Sequence, residues 1–444
     1  MATRLLASGL LAASVLLAWL TINVALAARL LQAGIALSVV YVAYLAWRGH
    51  RAIRVAMGAA SAAAGMEGDG TGDRAPLPFV SIVVPARDEE AVIGAVVADL
   101  ARQRYVAGGT PLFEIIVVDD GSTDRTATAA QPAGQGSTVV RIVRREMGSG
   151  PRTKGAVLRH AMPLCRGTVI GVIDADSRLD ADFVIRAVRA WDRDSDAAAL
   201  QAQRRPRNAA VSWLTRAQAE EQLMDLASQS GRRAAGGAAE LRGNGMFVRR
   251  DALERVGGWS ADALTEDLEL SSRLSAAGEH VAIAPEAVVE EDAVTRLGDL
   301  WRQRLRWAEG SLRRLMQHGP ALLGGRLPLG RKADFAAFSA EFLLPPLFAA
   351  TIVASLATIP LPRTADWTVP LSLFAGYGLG SFLLATAGLS AAGRVRGALL
   401  LGRATRGALF LSHWLMVVPV ALLRIALLPG QSEFVKTPRE PTDR

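Results

Sequence analysis

Cysteine and aromatic residues are scarce in this 444-residue sequence. Its single cysteine, Cys165, excludes an intramolecular disulfide and argues against a zinc site built from cysteines, which fits a reducing compartment. Aromatic residues make up 6% of the chain, although 50% of its residues are hydrophobic. Charge is also missing over one long stretch, because Arg29 is the only charged residue between residues 5 and 47. The composition therefore indicates strongly apolar segments rather than a uniformly globular chain.

The apolar residues concentrate at the two ends of the chain, which predicts membrane segments. Residues 5–47 are long enough for two helices of about 20 residues, which we expect to form a hairpin turning near Ala27-Ala28-Arg29. A secretory signal peptide is the alternative, but its apolar region would be too long and a second one follows directly. At the other end, spans are predicted at 342–361, 369–392 and 407–428, the last being doubtful because it contains Pro419 and Arg424.

Basic residues outnumber acidic ones, and the net charge is +8. Such a charge suits nucleic acid, a phosphorylated substrate or an anionic lipid surface; beside predicted spans we expect a phospholipid bilayer and no nucleic acid. Arg48, His50, Arg51 and Arg54 follow the first apolar stretch. By the positive-inside rule they predict a multi-pass protein of the inner (cell) membrane with a cytoplasmic middle domain.

These features predict six regions along the chain. They are a transmembrane hairpin with a basic juxtamembrane segment (1–58), a linker (59–77), a soluble α/β domain (78–295), an Arg-rich amphipathic interface helix (296–333), C-terminal transmembrane segments (334–428) and a cytoplasmic tail (429–444). In the soluble region, strands predicted at 79–85, 114–118 and 168–173 alternate with helical patterns. This alternation predicts a doubly wound α/β sheet covered by helices.

Two carboxylates separated by one small residue, Asp174-Ala175-Asp176, follow the third of these strands directly. Ligands of open α/β sheets bind beyond the carboxyl ends of the strands. Two oxygen ligands at that edge can share a hard divalent cation and the phosphates that it carries. An Asp-rich turn that caps the next helix is the alternative, since an isolated D-x-D is a weak signal.

Further signatures accompany the D-x-D in order along the chain. They are Val84-Pro85-Ala86-Arg87-Asp88-Glu89, Asp119-Asp120-Gly121, Thr265-Glu266-Asp267 and Gln303-Arg304-Leu305-Arg306-Trp307. Together, over residues 79–316, they resemble the inverting glycosyltransferases of family 2, whose nucleotide-binding domain has the GT-A fold. Within that family the sequence is similar to membrane-bound bacterial glycolipid glucosyltransferases and to processive β-glycan synthases.

The resemblance implies how a UDP-sugar donor is bound. Asp120 would accept hydrogen bonds from the uridine, and Asp119 would support the turn, although Asp-Asp-Gly-Ser is also an ordinary turn sequence. Pro85, Ala86 and Glu89 would line the base.

The same resemblance assigns the groups nearest the chemistry. Lys154 would contact the nucleotide, unless it is a solvated lysine. Asp176, helped by Asp174, would bind Mg²⁺ or Mn²⁺, the cation that stabilises the departing diphosphate. Asp267 would be the general base, with the alternative that the acidic pair at this helix start only complements the helix dipole.

On the acceptor side, the resemblance implies that Gln303, Arg306 and Trp307 line the site, where the indole can stack on a sugar. These residues could equally contact lipid headgroups from the amphipathic helix. Residues 434–439 resemble a loop that covers the nucleotide in membrane-embedded synthases. Such a loop requires a cytoplasmic tail, which conflicts with a simple count of the C-terminal spans.

We therefore predict a hexosyltransferase that moves a sugar, with glucose expected, from a UDP-sugar to a membrane lipid such as diacylglycerol. The alternative is a processive polysaccharide synthase, but the predicted spans 342–361 and 369–392 carry few residues suited to line a polymer tunnel. A scaffold that has lost turnover is a further alternative, against which the complete set of acidic motifs argues.

Overall fold

The computed structural model describes residues 2–65, 76–131, 139–146, 151–325, 327–358 and 367–430. Its strands are β1 (Val80–Ala86), β2 (Val106–Ala107), β3 (Thr110–Pro111), β4 (Phe113–Asp119), β5 (Val140–Arg144), β6 (Val169–Val172), β7 (Arg178–Leu179), β8 (Ala199–Pro206), β9 (Met246–Arg249) and β10 (Val281–Glu291). Its α-helices are α1 (Ala2–Asn23), α2 (Ala25–Gly65), α3 (Ile93–Ala101), α4 (Thr126–Ala129), α5 (Lys154–Ala161), α6 (Phe183–Arg189), α7 (Trp213–Ala234), α8 (Arg250–Arg255), α9 (Glu266–Ala276), α10 (Leu297–Gly324), α11 (Leu329–Ala340), α12 (Leu344–Thr358), α13 (Thr368–Ala391), α14 (Gly397–Leu411) and α15 (Trp414–Leu427).

The described chain divides into two compact units. The first contains residues 2–52, 212–237 and 295–430, and the second contains residues 53–211 and 238–294. In the second unit, eight of the described strands form one sheet in the order β5-β4-β1-β6-β9-β8-β10-β7. Strands β5, β4, β1 and β6 are parallel, whereas β9 is antiparallel to both β6 and β8. The predicted α/β domain is confirmed, with a mixed rather than purely parallel sheet.

The central strands are apolar throughout because both faces of the sheet are covered. In β4, Ile115 and Val117 belong to one hydrophobic cluster, and Ile116 and Val118 belong to another. A strand buried on both faces needs apolar side chains at every position, which explains its unbroken apolar run. Since β4, β1 and β6 are parallel neighbours, their carboxyl ends lie side by side at one edge of the sheet.

The first unit is helical in its described residues, and several of its helices are long and apolar. By length and composition, those that could cross a membrane are Ala2–Asn23, Ala25–Ala62, Thr368–Ala391 and Gly397–Leu427. The pair Leu329–Ala340 and Leu344–Ala357, bent by 40°, would be a fifth candidate if it counts as one span. These helices fit an association with the membrane.

Three boundaries in the helical regions differ from the prediction. Helices α1 and α2 meet at Val24 rather than near residues 27–29, and the hydrogen bond from Val24 N to Leu20 O (2.8 Å) keeps this position close to helical. Helix α2 continues to Gly65, so residues 59–65 of the predicted linker are helical, because this Ala-rich segment favours a helix. The last apolar region begins at Gly397 rather than at residue 407 and consists of α14 and α15.

Candidate active site

The loops that follow β1 and β4 are joined by hydrogen bonds at the edge of the sheet. Asp88 has a left-handed backbone (φ 52°), and its Oδ1 accepts a hydrogen bond from Thr123 N (2.8 Å). Its own N–H donates to Ser122 Oγ (3.0 Å), and Glu89 N donates to Thr126 Oγ1 (2.7 Å). Glu89, one of the predicted base-binding residues, therefore lies against the segment that follows the Asp-Asp pair.

Asp119 and Asp120 have different partners at the end of β4. Asp119 is buried, and its Oδ1 accepts a hydrogen bond from Ser122 N (2.9 Å), which closes the turn. Asp120 N donates to Ala86 O (2.9 Å), and its carboxylate is paired with the guanidinium of Arg145. Nothing in the sequence pattern singled out Arg145, because its partner lies 25 residues away along the chain.

The D-x-D forms a closed turn just beyond β6. Ser177 N donates to Asp174 O (3.1 Å), and Asp174 N donates to the side-chain oxygen of Asn244 (3.1 Å). The Asp174 side chain is 35% exposed, so its carboxylate is accessible. Asp176 lies near Arg207, whose pKa is raised by its hydrogen bonds to Asp292 and further by the charge of Asp176.

Lys154, the first residue of α5, links the D-x-D to the Thr-Glu-Asp motif. Its Nζ lies 2.5 Å from Asp174 Oδ1 and 3.6 Å from Glu266 Oε1. Burial opposes its charge, but the carboxylates of Asp174 and Glu266 outweigh that effect and raise the pKa of Lys154. The next residue must be small: a Cβ on Gly155 would lie 2.1 Å from Ser260 O and 3.2 Å from Glu266 Cβ.

Asp267 lies in the first turn of α9, beside the same lysine. A Cβ on Gly243 would lie 3.2 Å from Asp267 Oδ2 and 3.6 Å from Lys154 Nζ, so both groups pack against this glycine. The neighbouring Glu266 is buried, and burial raises its pKa to about 7, with Lys154 acting in the opposite direction and Asp267 adding to the increase. A lysine and three carboxylates thus gather where a nucleotide diphosphate is expected.

The carboxylates of the D-x-D could bind a hard cation only if the bound nucleotide sugar supplied further oxygen ligands. Among the described residues, no group of three or more His, Cys, Asp or Glu side chains is arranged to hold a metal ion. Lys154 binds Asp174 Oδ1, so a cation on Asp174 and Asp176 would share the Asp174 carboxylate with this lysine. Diphosphate oxygens would complete the oxygen shell that Mg²⁺ or Mn²⁺ prefers.

Gln303, Arg306 and Trp307 belong to the other unit, in α10. There the guanidinium carbon of Arg304 lies 4.2 Å from the indole centroid of Trp307. Arg304 is buried and pairs with Glu221. One face of Trp307 is therefore covered by a cation, so stacking on a sugar would have to use the other face. The predicted nucleotide-covering loop at 434–439 lies outside the described residues.

Known proteins resemble this chain over the region that carries the candidate site. A family model described as "Glycosyltransferase like family 2" matches residues 76–310. The chain is 34% identical to a beta-monoglucosyldiacylglycerol synthase of Synechocystis sp., over 83% of this chain and 76% of that protein. It is 32% identical to a protein of the same name from Nostoc sp., over 81% of this chain and 76% of that protein. To a poly-beta-1,6-N-acetyl-D-glucosamine synthase of Staphylococcus aureus it is 28% identical, over 44% of this chain and 47% of that protein.

The fold is also found among solved structures. A mannosyltransferase of Pyrobaculum calidifontis, in complex with GDP-Man and Mn²⁺, superposes with a TM-score of 0.54 at 20% identity. The superposition covers 85% of this chain and 99% of that chain. At this level of identity the similarity concerns the fold.

Proposed function

Because the chain belongs to glycosyltransferase family 2 and is a glycosyltransferase, we propose that it transfers glucose from UDP-glucose to diacylglycerol. The product would be β-monoglucosyldiacylglycerol, formed with inversion at the anomeric carbon. The observation that carries this proposal is the extent of similarity to the beta-monoglucosyldiacylglycerol synthases, which reaches 83% of this chain and so extends well beyond the family domain. The polymer synthase, in contrast, matches 44% of this chain.

In the proposed reaction the lipid hydroxyl is the nucleophile and Asp267 is the base. The Asp267 carboxylate takes the hydroxyl proton while the lipid oxygen bonds to the anomeric carbon of glucose. The bond between that carbon and the diphosphate oxygen breaks, and UDP leaves with the electron pair. Attack from the side opposite to the leaving group inverts the configuration.

The remaining residues of the site bind and orient. The loops after β1 and β4, with Pro85, Ala86, Glu89, Asp119 and Asp120, would hold the uridine. A divalent cation on Asp176 and Asp174 would neutralise the charge that develops on the diphosphate.

Lys154 would act by orientation. It binds the Asp174 carboxylate and lies against Glu266, the residue next to the proposed base. It would therefore keep the D-x-D and the start of α9 in a fixed relation.

Diacylglycerol is confined to the bilayer, so its transferase must reach the membrane. Apolar helices and the glycolipid synthases among the relatives support a membrane association. We further propose that several helices cross the inner membrane and that the basic cluster Arg48, Arg51 and Arg54 keeps the α/β domain in the cytoplasm. Gln303, Arg306 and Trp307 would then line the acceptor side.

Product analysis tests the proposal directly. Protein purified in detergent is given radiolabelled UDP-glucose, Mg²⁺ or Mn²⁺, and dioleoylglycerol, and the lipids are separated by thin-layer chromatography. We expect one labelled, solvent-extractable glycolipid that β-glucosidase cleaves. Label recovered in an alcohol-precipitable polymer would overturn the acceptor assignment in favour of a processive synthase. Parallel reactions with UDP-galactose and UDP-N-acetylglucosamine test the choice of sugar.

A further inference from the structure

The segment Gly243-Asn244-Gly245 lies between the two acidic motifs of the proposed site. Both glycines have left-handed backbones, with φ of 78° and 74°. Gly243 packs against the Asp267 carboxylate and Lys154 Nζ, and a Cβ on Gly245 would lie 2.8 Å from a methyl carbon of Val289. A residue with a side chain at either position would be strained and crowded, so the path of this loop depends on its glycines.

The side chain of Asn244 is buried, and both its amide oxygen and its amide nitrogen form hydrogen bonds. Its Oδ1 accepts hydrogen bonds from Asp174 N (3.1 Å) and from Ser177 Oγ (3.1 Å). Its Nδ2 donates to Glu291 Oε2 (3.0 Å), and Glu291 is in turn bound by Arg204. A backbone N–H can only donate, and an ionised carboxylate can only accept. The amide oxygen of Asn244 must therefore face Asp174 N, and its nitrogen must face Glu291.

The backbone of Asn244 is held as firmly as its side chain. Gln201 Nε2 donates to Asn244 O (2.7 Å), and Gly245 N donates to Val172 O (3.0 Å), the carbonyl at the end of β6. Asn244 therefore binds the first and last residues of the D-x-D turn, Asp174 and Ser177. It also holds in place the loop against which Asp267 packs. The sequence pattern does not indicate this role, because Asn244 lies 70 residues from Asp174.

We propose that Asn244 is a positioning residue for the donor cation: it holds the D-x-D turn so that Asp174 and Asp176 present their carboxylates together, at a set distance from Asp267. The inference rests on the proposed function in one respect, namely that the D-x-D binds the cation of a nucleotide sugar. Outer groups that orient metal ligands are typically worth about 10- to 100-fold in metal affinity.

The test compares Asn244→Ala with a matched buried amide outside the site. Gln103 is buried; its Nε2 donates to Asp99 O (3.2 Å) and Asp180 O (2.7 Å), and its Oε1 accepts from Val184 N (2.9 Å). Gln103→Ala therefore removes a similar number of buried hydrogen bonds without touching the acidic motifs. Both variants are measured in the full-length protein by Mn²⁺ titration with electron paramagnetic resonance at saturating UDP, by thermal melting, and by the KM for UDP-glucose.

We expect Asn244→Ala to weaken Mn²⁺ binding by about ten-fold or more and to raise the KM by a similar factor. Gln103→Ala should lower the melting temperature comparably and leave Mn²⁺ binding within about two-fold of wild type. Equal melting losses with wild-type Mn²⁺ binding in both variants would overturn the inference and leave Asn244 a structural residue. If Asn244→Ala does not fold, Asn244→Asp replaces it, because that variant keeps the shape but faces Glu291 with an acceptor.

The binding measurement also separates this inference from the proposed function. Wild-type protein that binds no Mn²⁺ with UDP contradicts the donor assignment itself. Wild-type binding that Asn244 substitutions leave unchanged contradicts the positioning role alone.

Discussion

Two acidic clusters, one around Lys154 in the second unit and one around Glu220 in the first, are balanced differently by their cations. In the second unit one ammonium is shared: Lys154 Nζ lies 2.5 Å from Asp174 and 3.6 Å from Glu266, with Asp267 close by. In the first unit, by contrast, one carboxylate pairs with two guanidinium groups. Glu220 is fully buried (0% exposed) and accepts hydrogen bonds from Arg403 Nε (2.9 Å) and Arg406 Nε (2.8 Å).

A carboxylate paired with basic side chains can thus serve either the structure or the function of the protein. Glu220 of α7 holds α14 through a closed ion cluster, and such a buried cluster leaves little access for a ligand. Asp174 is instead 35% exposed at the edge of a sheet, where ligands of this fold class bind. Removing a carboxylate of the proposed site should therefore abolish chemistry, whereas removing that of Glu220 should destabilise the fold.

Asp267→Asn should give the largest effect, a loss of transfer rate of about 10²- to 10⁴-fold, because the amide cannot take the acceptor proton. The melting temperature should stay close to that of wild type, since size and shape are kept. Initial rates of glucolipid formation and melting curves are measured on the same preparation. A folded variant with undiminished turnover would remove Asp267 from the mechanism.

Glu220→Gln tests the structural role of the buried carboxylate in the first unit. It leaves Arg403 and Arg406 without their shared counter-charge, and breaking a buried ion cluster in this way costs about 3 to 5 kcal/mol. We expect a clear drop in melting temperature and in the yield of detergent-extracted protein. The control is Glu254→Gln at an exposed pair with Arg250, which should change stability by less than about 0.5 kcal/mol. Equal melting of the two variants would contradict a structural role for Glu220.

Lys154→Met tests the role of the shared ammonium, which it removes from Asp174 and Glu266. A hydrogen bond between charged groups is worth about 1.5 to 3 kcal/mol, so we expect kcat/KM to fall roughly 10- to 100-fold. Lys154→Arg, which keeps the charge, should retain more activity. If methionine and arginine are equally damaging, the size of the lysine matters rather than its charge.

The sequence could predict where the acidic motifs meet but not what holds them. Continuous apolar runs identified β1, β4 and β6, and the carboxyl ends of neighbouring parallel strands share one edge, so Asp120 and Asp174 were expected close to it. Arg145 and Asn244 were missed, because periodicity reports local structure and their partners are 25 and 70 residues away. The signal available for Asn244 was its pair of flanking glycines.

Side-chain contacts in the helical first unit are also hard to predict from sequence, because the partners are far apart along the chain. In the Gln-x-x-Arg-Trp motif, Arg304 and Arg306 are two residues apart and therefore point to different sides of α10. Only tertiary contacts show that Arg304 is the one bound to Glu221. Arg424 made the last apolar segment doubtful from sequence, yet its Nε lies 4.0 Å from Glu309 Oε2, so another helix of the same unit compensates this charge.

The last prediction concerns the pH dependence of stability and rests on Glu266, a buried acid beside Lys154. Burial raises its pKa from the ordinary 4.5 to about 7 in the folded protein. Between these values the folded state keeps a proton that the unfolded chain has released, so this contribution is complete below about pH 4.5 and is lost as the pH rises through about 7. The melting temperature in detergent should fall across that window, with a slope of at most about 1.4 kcal/mol per pH unit. Glu266→Gln should flatten the slope and Glu254→Gln should keep it; a slope that survives in Glu266→Gln would mean that another group controls the pH dependence.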